Sequence, residues 1–140
     1  MKIYVGCALT EASEDFKKMV AEFKLRLKTE SLEVLEFIGL VDGTPTDVYR
    51  HDIFDCVGNA DLMIAICDQP STGLGYELCE ALRVRNIPVL GVAKEGARVT
   101  RLVLGIDHPK FSFERYVSDD DLLRLARTKI AACQLQAHAA

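Results

Sequence analysis

The segment that most constrains this chain is Asp61-Leu62-Met63-Ile64-Ala65-Ile66-Cys67, which is apolar at every position from 62 to 67. A strand with one face in water alternates polar and apolar residues. A short run without alternation has both faces covered, as at the centre of a parallel sheet. Other short apolar runs mark strands at Lys2–Gly6, Leu32–Ile38 and Ile87–Ala93, with an edge strand at Lys110–Tyr116. Between them lie longer stretches of helical period. Glu14–Lys28 carries Phe16, Met19, Val20, Phe23 and Leu27 on one stripe. A loop with Gly43, Thr44 and Pro45 leads into a helix over about 46–59. Further helices are expected at Leu74–Asn86, near Arg98–Leu104 and at Asp119–Gln134.

Strands alternating with helices predict a parallel sheet covered on both faces. Five strands in this arrangement predict an α/β, flavodoxin-like three-layer fold with sheet order 2-1-3-4-5. Residues 1–135 are expected to form a single domain, followed by a frayed tail over 136–140. In such sheets ligands bind beyond the carboxyl ends of the strands where strand order reverses, between strands one and three. Those ends are Gly6–Thr10 and Cys67–Gly75, so topology selects the site before any motif is consulted.

Bulk properties narrow the partners. The net charge is −4 and no dense Lys/Arg block is present, which argues against a nucleic-acid groove. No run approaches the ~18–20 apolar residues of a membrane span. Five scattered cysteines without CxxC spacing suggest free thiols in a reducing, cytoplasmic compartment. His51, His108 and His138 are too far apart in sequence to suggest a metal cluster. Neither metal nor cofactor is expected.

The segment after strand three reads Asp68-Gln69-Pro70-Ser71-Thr72-Gly73-Leu74-Gly75-Tyr76-Glu77-Leu78. Glycines and hydroxyls at a helix start can cradle a phosphate; on glycine spacing alone a capped strand-to-helix turn is the better reading. Glu77 adds a sharper signal. The inner stripe of this helix is Leu74, Glu77, Leu78, Ala81 and Leu82, so a carboxylate occupies an apolar position. A capping box fails on spacing, because Leu74 and Gly75 follow three residues after Ser71 and Thr72. A place beside the helix N-terminus would keep Glu77 ionised, as a nucleophile requires.

The preceding helix repeats the anomaly. Its stripe is Tyr49, Asp52, Ile53, Cys56, Val57 and Ala60, interrupted by Asp52. Asp52 could instead pair with a nearby cation such as Arg50. Two carboxylates meeting over one pocket are the means of glycosidic chemistry, one as nucleophile and one as proton donor, ~5–5.5 Å apart where configuration is retained.

These residues carry a resemblance. Gln69 to Leu78 closely resembles the catalytic segment of the Rcl-type 2'-deoxynucleoside 5'-monophosphate N-glycosidases, within the nucleoside 2-deoxyribosyltransferase superfamily. Ile3-Tyr4-Val5-Gly6, Tyr49-Arg50-His51-Asp52 and Ala60-Asp61-Leu62 extend it to about Gly105. The resemblance implies that Glu77 attacks C1' of the sugar, that Asp52 assists departure of the base and then activates the acceptor, and that Tyr4 orients the nucleophile. It implies substrate contacts at Gly6, Cys7, Thr10, Ser71, Gly73 and Gly75. It also implies a homodimer or larger homo-oligomer with shared sites, where Arg98 matches a family Arg near the subunit contact. Six residues before the nucleophile stands Ser71, where the transferases carry an acid; a hydroxyl there suits a 5'-phosphate. Thr10 replaces a first-loop Arg, Cys79 replaces a Gly, and Arg101 replaces a Ser supplied by the neighbouring subunit, where it could restore the missing charge in trans.

Three functions compete: hydrolysis of a nucleoside 5'-monophosphate, base exchange between deoxynucleosides, and a non-catalytic nucleotide sensor. A thiol-redox role for Cys7 or Cys67 lacks a partner cysteine at redox spacing.

Overall fold

The structure, a computed structural model, describes residues 1–28, 32–37 and 42–139. In chain order the elements are β1 (Lys2–Cys7), α1 (Glu14–Lys28), β2 (Glu33–Leu35), α2 (Pro45–Arg50), β3 (Leu62–Ile66), α3 (Thr72–Cys79), β4 (Val89–Lys94), α4 (Arg101–Leu104), β5 (Phe111–Tyr116) and α5 (Asp119–Ala139). The strands form one parallel sheet in the order β2-β1-β3-β4-β5, as the sequence pattern predicts. Every residue of β3 is fully buried, because helices cover both of its faces.

Alternation along β1 sends its side chains to two different cores. Ile3 and Val5 pack with Phe16, Val20 and Leu27 of α1 and with Leu122 and Ala126 of α5. Tyr4 points the other way, into the cluster of Cys56, Val57, Leu74, Leu78 and Ala81. That parity places Tyr4 beneath α3.

Several expectations change in detail. The second strand, expected over Leu32–Ile38, is three residues long; Ile38 lies outside the described residues. Pro45 opens α2 one residue early, with Thr44 and Asp47 forming a reciprocal capping box. The helix after it is not uniform. It passes from α into a π turn over His51–Cys56 and then a 3₁₀ turn over Val57–Asn59. A continuous α-helical stripe therefore fails at its start, and Tyr49 is exposed rather than inward. The helix expected from Leu74 starts at Thr72 and also ends in a π turn, Glu80–Val84. At the C-terminus α5 runs to Ala139, so residues 136–139 of the expected frayed tail are helical. Ala and Gln are good helix formers and extend it. No described helix is long and apolar enough to cross a membrane.

Candidate active site

The register sets Gly6 beside Ala65 and Cys7 beside Ile66, so β1 and β3 end level and their loops diverge to either side. A cleft of about 550 Å³ opens there, within the range of small-ligand sites. Its walls are the loop after β1 (Cys7 to Glu11), Val48 and Asp52 from the α2 region, and Pro70 to Leu74 with Glu77 from α3. The two carboxylates that interrupted apolar stripes thus face one cavity.

Tyr4 fixes the nucleophile candidate. Its hydroxyl donates to Glu77 Oε1 at 2.8 Å. Burial, then the Glu77 charge, pushes the phenol far above its ordinary range, so Tyr4 stays a donor. Gly6 makes the approach possible: a Cβ there would lie 2.8 Å from Glu77 Oε2 and 2.8 Å from Met63 Cε. Gly6 is buried and is not among the residues lining the cleft; what it does is clear space for Glu77.

The electrostatics of Glu77 reverse one expectation. Its carboxyl is not held in the ordinary ionised range but pushed up to about 7. Burial is the main cause; the Asp52 charge adds to it, while the Tyr4 hydrogen bond and the Lys24 charge oppose it. Glu77 lies five positions beyond Thr72, the start of α3, and the helix dipole fades within the first turn. Desolvation therefore outweighs it.

Ser71 is the N-cap of α3 and accepts from the Leu74 amide at 3.1 Å. Capping occupies an oxygen lone pair and leaves its O–H free to donate into the cleft, so both readings of Ser71 are compatible. Cys7, Thr10 and Gly73 also line the cleft. Gly75, Arg98 and Arg101 do not. They lie in a neighbouring groove on the far side of the 70–74 segment, and both arginines are exposed.

Three supports went unnoticed in the sequence. Gln69 clasps the start of α1, accepting from the Ser13 amide at 3.2 Å and donating to Ser13 Oγ at 3.3 Å. Asp68 accepts from the Tyr116 hydroxyl at 2.5 Å and from the Lys94 amide at 3.2 Å. Together they pin the loop that carries Ser71. Lys24 is buried, 3.2 Å from Glu36 Oε2 and 3.6 Å from the centre of the Phe37 ring. Its signal was legible: four residues after Val20 and three before Leu27, it falls on the inner stripe of α1.

The thiols argue against redox chemistry. Burial pushes Cys7 and Cys67 up to about 11, far from the depressed values of reactive cysteines. All five cysteines are free. The three histidines are far apart in sequence, yet the fold groups His51 with Asp52 and Cys56, a mixed set of possible metal ligands.

Comparison with known proteins gives a consistent picture. No family model matches the chain. A relative from Syntrophotalea carbinolica, provisionally named 2'-deoxynucleoside 5'-phosphate N-hydrolase 1, is 34% identical over 79 residues, covering 56% of this chain and 55% of the relative. One from Methanosarcina mazei with the same provisional name is 42% identical over 62 residues, 44% of this chain and 37% of the relative. The matched part spans about half the length of these relatives or less. Among solved structures, the CMP N-glycosidase BcmB of Clostridium botulinum superposes with a TM-score of 0.72 at 18% identity, covering 92% of this chain and 99% of that one. A 2-deoxyribosyltransferase from Leishmania mexicana gives 0.56 at 14% identity, covering 81% and 82%. At those identities the structures speak for the fold. The sequence matches agree with the resemblance to the 2'-deoxynucleoside 5'-monophosphate N-glycosidases over part of the chain, and the solved structures share its fold.

Proposed function

With the likeness to nucleotide N-hydrolases as premise, we propose that this chain hydrolyses the N-glycosidic bond of (2'-deoxy)nucleoside 5'-monophosphates, releasing free base and sugar 5-phosphate. The observation that carries the reading is the shared cleft, in which Asp52 and a Tyr4-bound Glu77 open onto one cavity at the switch point of the sheet. In the first step the ionised Glu77 attacks C1' and forms a glycosyl ester while Asp52 gives its proton to the departing base. In the second, Asp52 takes a proton from water, the hydroxide attacks C1', and Glu77 leaves as carboxylate. Tyr4 holds Glu77 in one orientation throughout.

The Ser71 hydroxyl and the amide of Gly73 are the donors we assign to the 5'-phosphate. A carboxylate at position 71 would repel that dianion, which favours nucleotides over the nucleoside substrates of a transferase. Arg98 and Arg101, exposed in the adjoining groove, would serve a site across a homodimer contact. Exposed Tyr49, Phe54, Tyr76 and Leu102 support such a contact, and free thiols fit a cytoplasmic protein.

Incubation with a panel of deoxynucleoside and ribonucleoside monophosphates, with and without a second free base, tests the reading. Free base plus sugar phosphate supports hydrolysis; a new nucleoside would indicate base exchange. Nucleotide binding that survives in Glu77→Ala, with no product from the wild type, would leave a sensor.

A further inference from the structure

The cleft wall contains a group of side chains of which glycosidic chemistry uses only Asp52. In a π turn the backbone hydrogen bond closes from i to i+5, so the turn His51–Cys56 folds its two ends back over one another. As a result the ligand-capable atoms of His51, Asp52 and Cys56 all lie within 4.8 Å of one another. The Glu36 carbonyl oxygen joins them, 2.6 Å from His51 Nε2 and 3.3 Å from Cys56 Sγ.

Imidazole, carboxylate and thiol together form a donor set for a borderline-soft divalent ion. Magnesium or calcium would call for oxygen alone, whereas nitrogen, sulfur and one carboxylate oxygen suit zinc. Cys56 is 1% exposed and His51 and Asp52 are half-buried, so the sulfur is shielded from bulk water while the imidazole and carboxylate stay within reach of it. Asp52 lines the cleft, which supplies a path of entry. We propose that His51, Asp52 and Cys56 form a zinc site that closes the cleft to catalysis when filled. On binding, zinc bonds to the imidazole nitrogen, a carboxylate oxygen and the sulfur. The Cys56 thiol proton and the proton that Asp52 holds for catalysis leave to bulk water, and the contacts of His51 and Cys56 with the Glu36 carbonyl are given up. A carboxylate bound to zinc can neither give nor take the proton that glycosidic cleavage moves. The binding stands apart from the proposed function; the inhibition rests on it.

Titrating the full chain with Co²⁺ alone tests the site, because a cobalt–thiolate bond gives a charge-transfer band in the near ultraviolet. The band should appear, be displaced by Zn²⁺, disappear in Cys56→Ser and weaken at least about tenfold in apparent affinity in His51→Ala. The exposed Cys79→Ser should behave as the wild type. Circular dichroism separates loss of the site from loss of fold, and His51→Ala keeps the test open should Cys56→Ser unfold. Absence of the band in the wild type, or its persistence in folded Cys56→Ser, overturns the site. In nucleotide hydrolysis, Zn²⁺ should inhibit the wild type and be needed at about tenfold higher concentration in His51→Ala. Full turnover at saturating Zn²⁺ overturns the inhibitory role. A cobalt band in a protein that cleaves no nucleotide leaves the site standing and removes the hydrolase reading.

Discussion

The Tyr4 hydroxyl donates to Glu77 Oε1 at 2.8 Å across seventy-three positions of sequence, joining the first strand to the helix after the third. The bond opposes the burial that drives Glu77 toward its neutral form. Tyr4→Phe removes the donor and leaves the ring. Its kcat at neutral pH should fall about 10- to 100-fold, while stability changes by only about 1 kcal/mol. Rate measurement beside thermal unfolding checks this; an unchanged rate would remove Tyr4 from the mechanism.

Because the Glu77 carboxyl is pushed up to about 7 and must be ionised to attack, while Asp52 must hold the proton it donates, kcat/KM should rise with pH as Glu77 ionises and fall again once Asp52 no longer carries that proton. The sign for stability is opposite. A carboxyl whose folded pKa lies above its unfolded one stabilises the fold below the ordinary carboxylate range and loses that contribution as pH rises through about 7. Thermal unfolding from pH 5 to 8 should show a loss that is smaller in Glu77→Gln.

Glu77→Gln keeps the size of the side chain and a hydrogen-bond acceptor for Tyr4. It should lower kcat at least about a thousandfold and leave nucleotide affinity within a few-fold. Calorimetric titration with a deoxynucleoside monophosphate provides the binding half of the comparison.

Gly6→Ala places a methyl 2.8 Å from Glu77 Oε2 and from Met63 Cε. Overpacking of this kind costs about 1–3 kcal/mol, and the end of the Glu77 side chain is displaced from its bond to Tyr4. Activity should fall more steeply than the melting temperature, the reverse of a generic core defect.

Ser71→Asp keeps a competent N-cap for α3 and sets a carboxylate where the 5'-phosphate is proposed to bind. The melting temperature should stay within a few degrees. KM for a nucleoside monophosphate should rise at least tenfold, about 1.4 kcal/mol, and much less for the unphosphorylated nucleoside.

The fold was legible because its signals are local. The unbroken apolar run Leu62–Cys67 and the alternation of short strands with helical stripes depend only on residues near one another. Together they specify a parallel sheet in the observed order. Glu77 and Asp52 were legible for the same reason, as charges on stripes that burial makes apolar. What each charge feels depends on atoms distant in sequence. Desolvation of Glu77, its bond to Tyr4, and the burial of Lys24 against Glu36 and Phe37 exist only once the sheet has assembled. The π turn at His51–Cys56 belongs with these. Its hydrogen-bond register is decided by packing on the sheet, since no α-helical periodicity announces it. Sequence alone thus determined most of the residues that lie inward, Tyr49 and Lys24 excepted, and the end of the sheet they share; tertiary structure decided which of them meet, and in what charge state.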